Sequence, residues 1–137
     1  MNAEVFLDSN ILVYAAMVRP GEEFKRQRAL DLIQSEHFGT SAQVLQEFYV
    51  TVVRKAKHPL TAVQALEWIH QWAAFPCQAI DRDLVQIAIE ISVRYKIGYW
   101  DAAIIAAAAS LGARILYSED LNNRQSYGSV QVVNPFT

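Results

Sequence analysis

Four of the fourteen acids in this chain, Asp8, Glu47, Asp101 and Asp120, stand where carboxylates can act together. Asp8 ends the apolar run Val5-Phe6-Leu7 and opens Asp8-Ser9-Asn10, three residue types that cap helices, with Ile11, Leu12 and Ala15 at helical spacing behind them. A strand that stops at an acid and passes into a helix puts that acid at the carboxyl edge of a sheet, where α/β proteins bind ligands. Glu47 lies in the helix after a second strand, Asp101 opens an apolar helix, and Asp120 follows a fourth strand. A parallel sheet can converge all four. Asp101 precedes Ile104 and Ile105 by three and four residues, so it is expected on an apolar helical face, out of bulk water.

Two carboxylates brought within about 4 Å repel by about 4 kcal/mol at an effective dielectric near 20, a cost a fold sustains only with a counter-ion. Hard divalent metal, Mg²⁺ or Mn²⁺, prefers such oxygens and bridges to phosphate, whereas zinc asks for the His and Cys that are scarce here. The implied substrate is a phosphate ester. Each acid also has a plainer reading: Asp8 as a helix cap, Asp101 as a favourable charge at a helix N-terminus, Glu47 as a surface residue and Asp120 as a turn former. Ser9 and Asn10 are caps first. The three histidines, His37, His58 and His70, show no ligand spacing.

The elements that must position these groups read in order. The first helix runs to about Met17 and stops at Arg19-Pro20-Gly21; a second spans Glu22 to about Gln34, with Phe24, Ala29, Leu30, Leu32 and Ile33 as its stripe and Lys25 among its solvated charges. Phe38-Gly39-Thr40 is β-like, and Ser41 caps a helix with Val44, Leu45, Phe48, Tyr49, Val52 and Val53 inward. Thr61 and Gln64 form a capping box ahead of Leu66, Trp68, Ile69 and Trp72. Pro76 to Ile80 is the next strand. Asp81 caps a helix with Leu84, Val85, Ala88, Ile91 and Val93 inward, ending near Tyr95 with Gly98 just beyond. Ala102 to Ala109 is apolar on every face and must be buried. Ile115-Leu116-Tyr117 and Val130 to Val133 complete the strands. The result is an α/β three-layer sandwich, a central parallel sheet of four to five strands flanked by helices, in one domain over residues 1–137.

Composition narrows the class. Net charge is −2, so no global positive field draws in a polyanion, which must be held locally. Arg54-Lys55-Lys57 and Arg94-Lys96 read as solvated helix ends, or alternatively as groups tracking a phosphate backbone. Cys77 is the only cysteine; it excludes an internal disulfide and is expected as a small core residue. No apolar stretch approaches the ~20 residues a bilayer requires, and Glu4 stands where a secretory signal would be basic, so a soluble, cytoplasmic protein without membrane attachment is expected. Trp68, Trp72 and Phe75 suit a core or a dimer face, while Trp100 beside Asp101 could also stack on a base.

The segments Phe6 to Tyr14, Gln46-Glu47-Phe48, Tyr99-Trp100-Asp101-Ala102 and Leu116 to Leu121, closing with Val132 to Phe136, together resemble the PIN domain, in particular the VapC-type toxins of bacterial toxin-antitoxin pairs. The resemblance implies a metal-dependent endoribonuclease acting on RNA, a homodimer, and a cognate protein antitoxin that blocks the site. By position, Asp8, Glu47, Asp101 and Asp120 match its catalytic acids, with Asp8, Asp101 and Asp120 toward Mg²⁺ or Mn²⁺ and Ser9, Asn10 and Ser118 as orienting polar groups. Asn122 and Asn123 stand where many members carry a further acid, which leaves a second metal weak or absent. Two rival readings remain: a phosphatase with Asp8 as nucleophile, disfavoured because Asn10 replaces a second acid, and a non-catalytic interaction module whose acids only cap helices.

Overall fold

A computed structural model of the chain describes residues 2–137. The strands are β1 (Val5–Leu7), β2 (Phe38–Ser41), β3 (Cys77–Gln78), β4 (Ile115–Tyr117), β5 (Ser126–Tyr127) and β6 (Val130–Val133). The helices are α1 (Ser9–Ala16), α2 (Glu23–Ser35), α3 (Ala42–Tyr49), α4 (Ala62–Gln71), α5 (Arg82–Tyr95) and α6 (Tyr99–Ser110), and α3 continues into a π-helical segment, Val50–Lys55. The sheet order is β3-β2-β1-β4-β6-β5, parallel except for the β5–β6 pair. Neighbours of β1 on its two sides follow it by different crossovers, so the chain switches direction between β1 and β4. Ligands of open α/β sheets bind beyond the carboxyl ends of strands at such a point.

Local sequence accounts for most of this. Asp8, Ser41 and Asp81 cap α1, α3 and α5 through their side-chain oxygens, and Thr61 with Gln64 closes a complete capping box on α4. The core is built on Phe6, Leu7, Ile11, Leu12, Phe38, Phe48, Ile105 and Leu116, all without solvent exposure. Residues Ala102 to Ala108 are buried without a break, and the methyl groups of Ala103 and Ala106 let α5 bring Leu84 and Ala88 close, forming a second small cluster. Gly39 in β2 is required by packing: a Cβ there would stand 2.7 Å from Leu111 Cδ1 and 3.2 Å from the Ala3 methyl.

Several expectations are corrected. The sheet has a sixth strand, because Gly128 at φ +63° turns Tyr127 back antiparallel to Val130. The left-handed residue ending α5 is Lys96, φ 55°, and Gly98 instead begins α6. Cys77 is exposed, since β3 is a short strand at the sheet edge. Phe24, Leu66 and Val93 face solvent at 70%, 50% and 72% exposure, because α2, α4 and α5 bury narrower stripes than their apolar residues would allow. Trp72 lies in the core against Phe48, with ring centroids 5.1 Å apart, so the surplus apolar surface of α4 belongs to Val63 and Leu66 rather than to the tryptophans. No helix of the described residues is long and apolar enough to cross a membrane.

Candidate active site

Register fixes the centre. Pairing of Leu7 with Tyr117 carries the chain one residue further on each strand, setting Asp8 beside Ser118, and the Asp8 amide donates to the Tyr117 carbonyl at 3.1 Å. Ser118, fully buried, donates its hydroxyl to Asp8 Oδ2 at 2.7 Å, while the Ser9 amide donates to Asp8 Oδ1 at 2.7 Å. Asp8 itself is 6% exposed. Burial raises its carboxyl from 3.8 to about 6; the two hydrogen bonds from Ser118 and Ser9 oppose this, and the charges of Glu47 and Asp120 add to it.

Glu47, on α3, is brought to this point by Ser41's cap and held by two donors: Ser9 Oγ to its Oε1 at 3.2 Å and Gln43 Nε2 to its Oε2 at 3.3 Å. Gln43 Nε2 also donates to the Trp100 carbonyl at 3.2 Å, tying the start of α6 to the same carboxylate. Asp120 is exposed at the turn after β4. Asn10 Nδ2 donates to Asp120 Oδ2 at 3.1 Å, its Oδ1 accepts from the Glu119 amide at 3.2 Å, and Ser118 Oγ accepts from the Asp120 amide at 3.2 Å. Ser9, Asn10 and Ser118 thus each touch an acid.

Asp101 departs from expectation. It is exposed, on the first turn of α6, where the helix has not yet entered the core: Trp100 is 69% exposed and burial begins at Ala102. Its charge is felt at Tyr127, whose hydroxyl is pushed up by burial first and by Asp101 second. Asp8, Glu47 and Asp120 are therefore linked by hydrogen bonds, and Asp101 stands outside that network.

Two residues escaped the sequence reading. Gln43 carries a local signal, since it precedes Glu47 by four residues and shares its helical face. Glu119 carries none. It accepts from Tyr14 Oη at 2.6 Å and pairs with Lys25, whose ammonium also lies 5.1 Å from the Tyr14 ring centre. Burial acts against it, yet Lys25 and Tyr14 hold the Glu119 carboxyl below its ordinary range. Lys25 is thus a structural partner of the Ser118–Asp120 turn, not a solvated charge. Asn122 and Asn123 bond to Gln125 and to the Asn134 amide, and so serve the turn's shape.

A cleft of about 390 Å³ is lined by Ser9, Glu47 and Asp120 together with Val50, Thr51 and Lys55 of the π-helical segment. A hollow of similar volume, about 410 Å³, is lined by Glu4, Arg114 and Gln131 at the opposite end of the strands and contains none of these acids. Chemistry rather than size singles out the first. Its acids offer oxygen ligands, and although Lys55 lines the same cleft, no cationic side chain pairs with any of the four acids among the described residues, whose ion pairs are Arg19–Glu22 and Lys25–Glu119. Among those residues no three His, Cys, Asp or Glu side chains surround a common point, so an ion here would rest on one or two carboxylates and several waters. A buried acid beside two like charges, with neutral donors only, fits Mg²⁺ or Mn²⁺.

The fold and this cluster of acids at its switch point define a class, and the sequence bears it out: residues 5–125 match the PIN domain family, to which the chain belongs. Its fold is that of VapC20 of Mycobacterium tuberculosis, a sarcin-ricin-loop-cleaving toxin, at 22% identity and TM-score 0.66 over 85% of this chain and 89% of that one. A toxin-antitoxin complex from Klebsiella pneumoniae holds a similar chain, 19% identical, TM-score 0.70, covering 96% of this chain and 97% of that one. A chain of FitAB bound to an IR36 DNA fragment is 19% identical with TM-score 0.72, covering 97% and 96%. No curated protein sequence matches the chain.

Proposed function

We propose that this chain is a Mg²⁺- or Mn²⁺-dependent endoribonuclease and the toxin of a toxin-antitoxin pair. One observation carries the reading: Asp8, Glu47 and Asp120 are gathered at the switch point of a PIN fold with hydrogen-bond donors but no cation paired to them among the described residues. The chain assembles the negative half of a metal site. Asp8 and Asp120 would hold the ion through one or two carboxylates and water, and Asp101, exposed on the first turn of α6, would join them only through water or on substrate binding. When bound, it lowers the pKa of an attacking water and offsets charge on the phosphoryl oxygens.

The remaining steps belong to the protein. Glu47, its two oxygens fixed by Ser9 and Gln43, orients the attacking water and accepts its proton. The water oxygen forms a bond to phosphorus in line with the 3′-oxygen, whose bond breaks; the leaving oxygen takes a proton from solvent, giving a 5′-phosphate and a 3′-hydroxyl. Ser118 and Asn10 keep Asp8 and Asp120 oriented through the reaction. Solved neighbours form toxin-antitoxin complexes, which supports a protein antitoxin for this chain; the exposed Val63, Leu66 and Trp100 offer apolar surface to such a partner or to a second copy in a homodimer. Such a toxin acts in the cytoplasm.

The test is RNA cleavage by purified protein freed of any partner, in Mg²⁺, Mn²⁺ or EDTA, comparing wild type with Asp101→Asn. Metal-dependent cutting that falls at least about 100-fold in the variant supports the reading and places Asp101 in the site. Absence of cutting and of Mn²⁺ binding in both proteins refutes the nuclease and leaves a partner-binding module.

A further inference from the structure

The acidic cleft has one basic side chain in its lining, Lys55, and its position follows from an irregularity of the backbone. Residues 42–49 form α-helix, and the next six, Val50–Lys55, widen into π-helix. Continued as α-helix, Lys55, eight residues beyond Glu47, would lie about 80° further round the axis. A π-turn closes from i to i+5 instead of i+4, and the extra residue in the turn removes most of that offset. Lys55 therefore returns to the face of Glu47 and Thr51 and lines the same cleft. The segment is anchored rather than frayed: Val52 is fully buried, and the Leu60 amide donates to its carbonyl at 2.9 Å. Wide turns are rare and cluster at functional sites, so one that swings an ammonium into an acidic cleft needs a reason.

Pairing with the acids is not the reason. Lys55 is exposed and, among the described residues, forms no salt bridge with Glu47, Asp120 or any other acid. Its charge is free for an anion that enters the cleft. A phosphodiester strand carries such anions at regular spacing, and its overall attraction to a chain of net charge −2 must come from local contacts.

Given the nuclease reading above, we propose that Lys55 holds a backbone phosphate adjoining the one that is cut, and so sets the path of the RNA through the cleft. It is a strand-positioning residue that binds substrate without taking part in bond breaking. Arg54, in the same segment, and Lys57, two residues beyond its end, do not line the cleft, and Lys57 serves as the control.

The experiment uses the full chain with Lys55→Met, Lys55→Arg and Lys57→Gln. Binding is read by fluorescence anisotropy of a labelled mixed-sequence oligoribonucleotide in EDTA across a salt series, and turnover of the same oligonucleotide in Mn²⁺. Lys55→Met is expected to bind about three- to fivefold more weakly. Its plot of log affinity against log salt becomes shallower by about 0.7, the contribution of one phosphate contact on a single strand. KM rises with kcat retained, Lys55→Arg restores the slope, and Lys57→Gln changes neither. If wild type cuts RNA while Lys55→Met matches it in affinity, slope and KM, the assignment of Lys55 is overturned and the nuclease reading survives. A fall in kcat at unchanged KM overturns it also. If wild type neither binds nor cuts the RNA, both fall together.

Discussion

Replacing Asp8 with Asn should abolish cleavage and stabilise the fold, and the size of the gain can be worked out. The folded carboxyl is raised from 3.8 to about 6, mainly because burial removes it from water, against the opposing hydrogen bonds from Ser118 and Ser9. That gap corresponds to about 3 kcal/mol by which folding disfavours the charged form. The sign follows from linkage: the protonated carboxyl's contribution to stability is fully present below 3.8 and is lost as pH rises through about 6. Above that, ionised Asp8 carries the whole cost. Asn removes the charge and keeps the shape; its Oδ1 can accept from the Ser9 amide, but its Nδ2 must donate to a Ser118 hydroxyl that now donates to Asp8. Allowing about 1–2 kcal/mol for that rearranged bond leaves a net gain of about 1–2 kcal/mol at about pH 7.5. Urea unfolding in EDTA, repeated at about pH 5, should show the advantage shrinking by more than about 1 kcal/mol as the wild-type carboxyl protonates. Added Mn²⁺ should stabilise wild type and leave the variant unmoved. An Asp8→Asn protein less stable than wild type at neutral pH, or a difference independent of pH, would refute the account of Asp8 as a charge held against its own solvation.

Two further substitutions test the frame around it. Ser118→Ala removes the donor to Asp8 and strands the Asp120 amide, so it should lower stability by about 1–3 kcal/mol in thermal melts and raise the pH at which cleavage begins. Gly39→Ala drives a methyl to 2.7 Å from Leu111 Cδ1 and 3.2 Å from the Ala3 methyl, and should cost about 1–3 kcal/mol in urea unfolding with the site otherwise intact.

What was legible in the sequence was local. Asp8, Ser41, Thr61 and Asp81 each announce a helix start by residue type, and each caps one, because capping depends on amides one to three residues away. Short apolar runs gave the parallel strands for the same reason. Asp101 shows where such reasoning stops. In α6 the apolar residues surround the whole helix, so the pattern carries no information about which turn protrudes, and the first turn does. Lys25 and Glu119 are 94 residues apart, and no periodicity links them; only the docking of α1 and α2 against the turn after β4 makes them a pair. The π-helical turn was equally hidden, since Val50–Lys55 contains nothing that forbids an ordinary helix.

The placement of cations now argues for the site more strongly than the placement of acids does. Asp120 and Glu119 are adjacent in one exposed turn, yet the chain treats them oppositely. Glu119 turns toward α2, where Lys25 neutralises it and Tyr14 adds a hydrogen bond. Asp120 turns toward Asp8 and Glu47 and receives only the amide of Asn10. A protein merely disposing of two surface acids would have no cause to answer one with an ammonium and leave the other, unpaired, where its charge is felt by a buried carboxylate. Removing Lys25's target from the cleft also keeps that ammonium from competing there, so among the described residues Asp8, Glu47 and Asp120 have no cationic partner and Lys55 is the one basic side chain in the cleft lining.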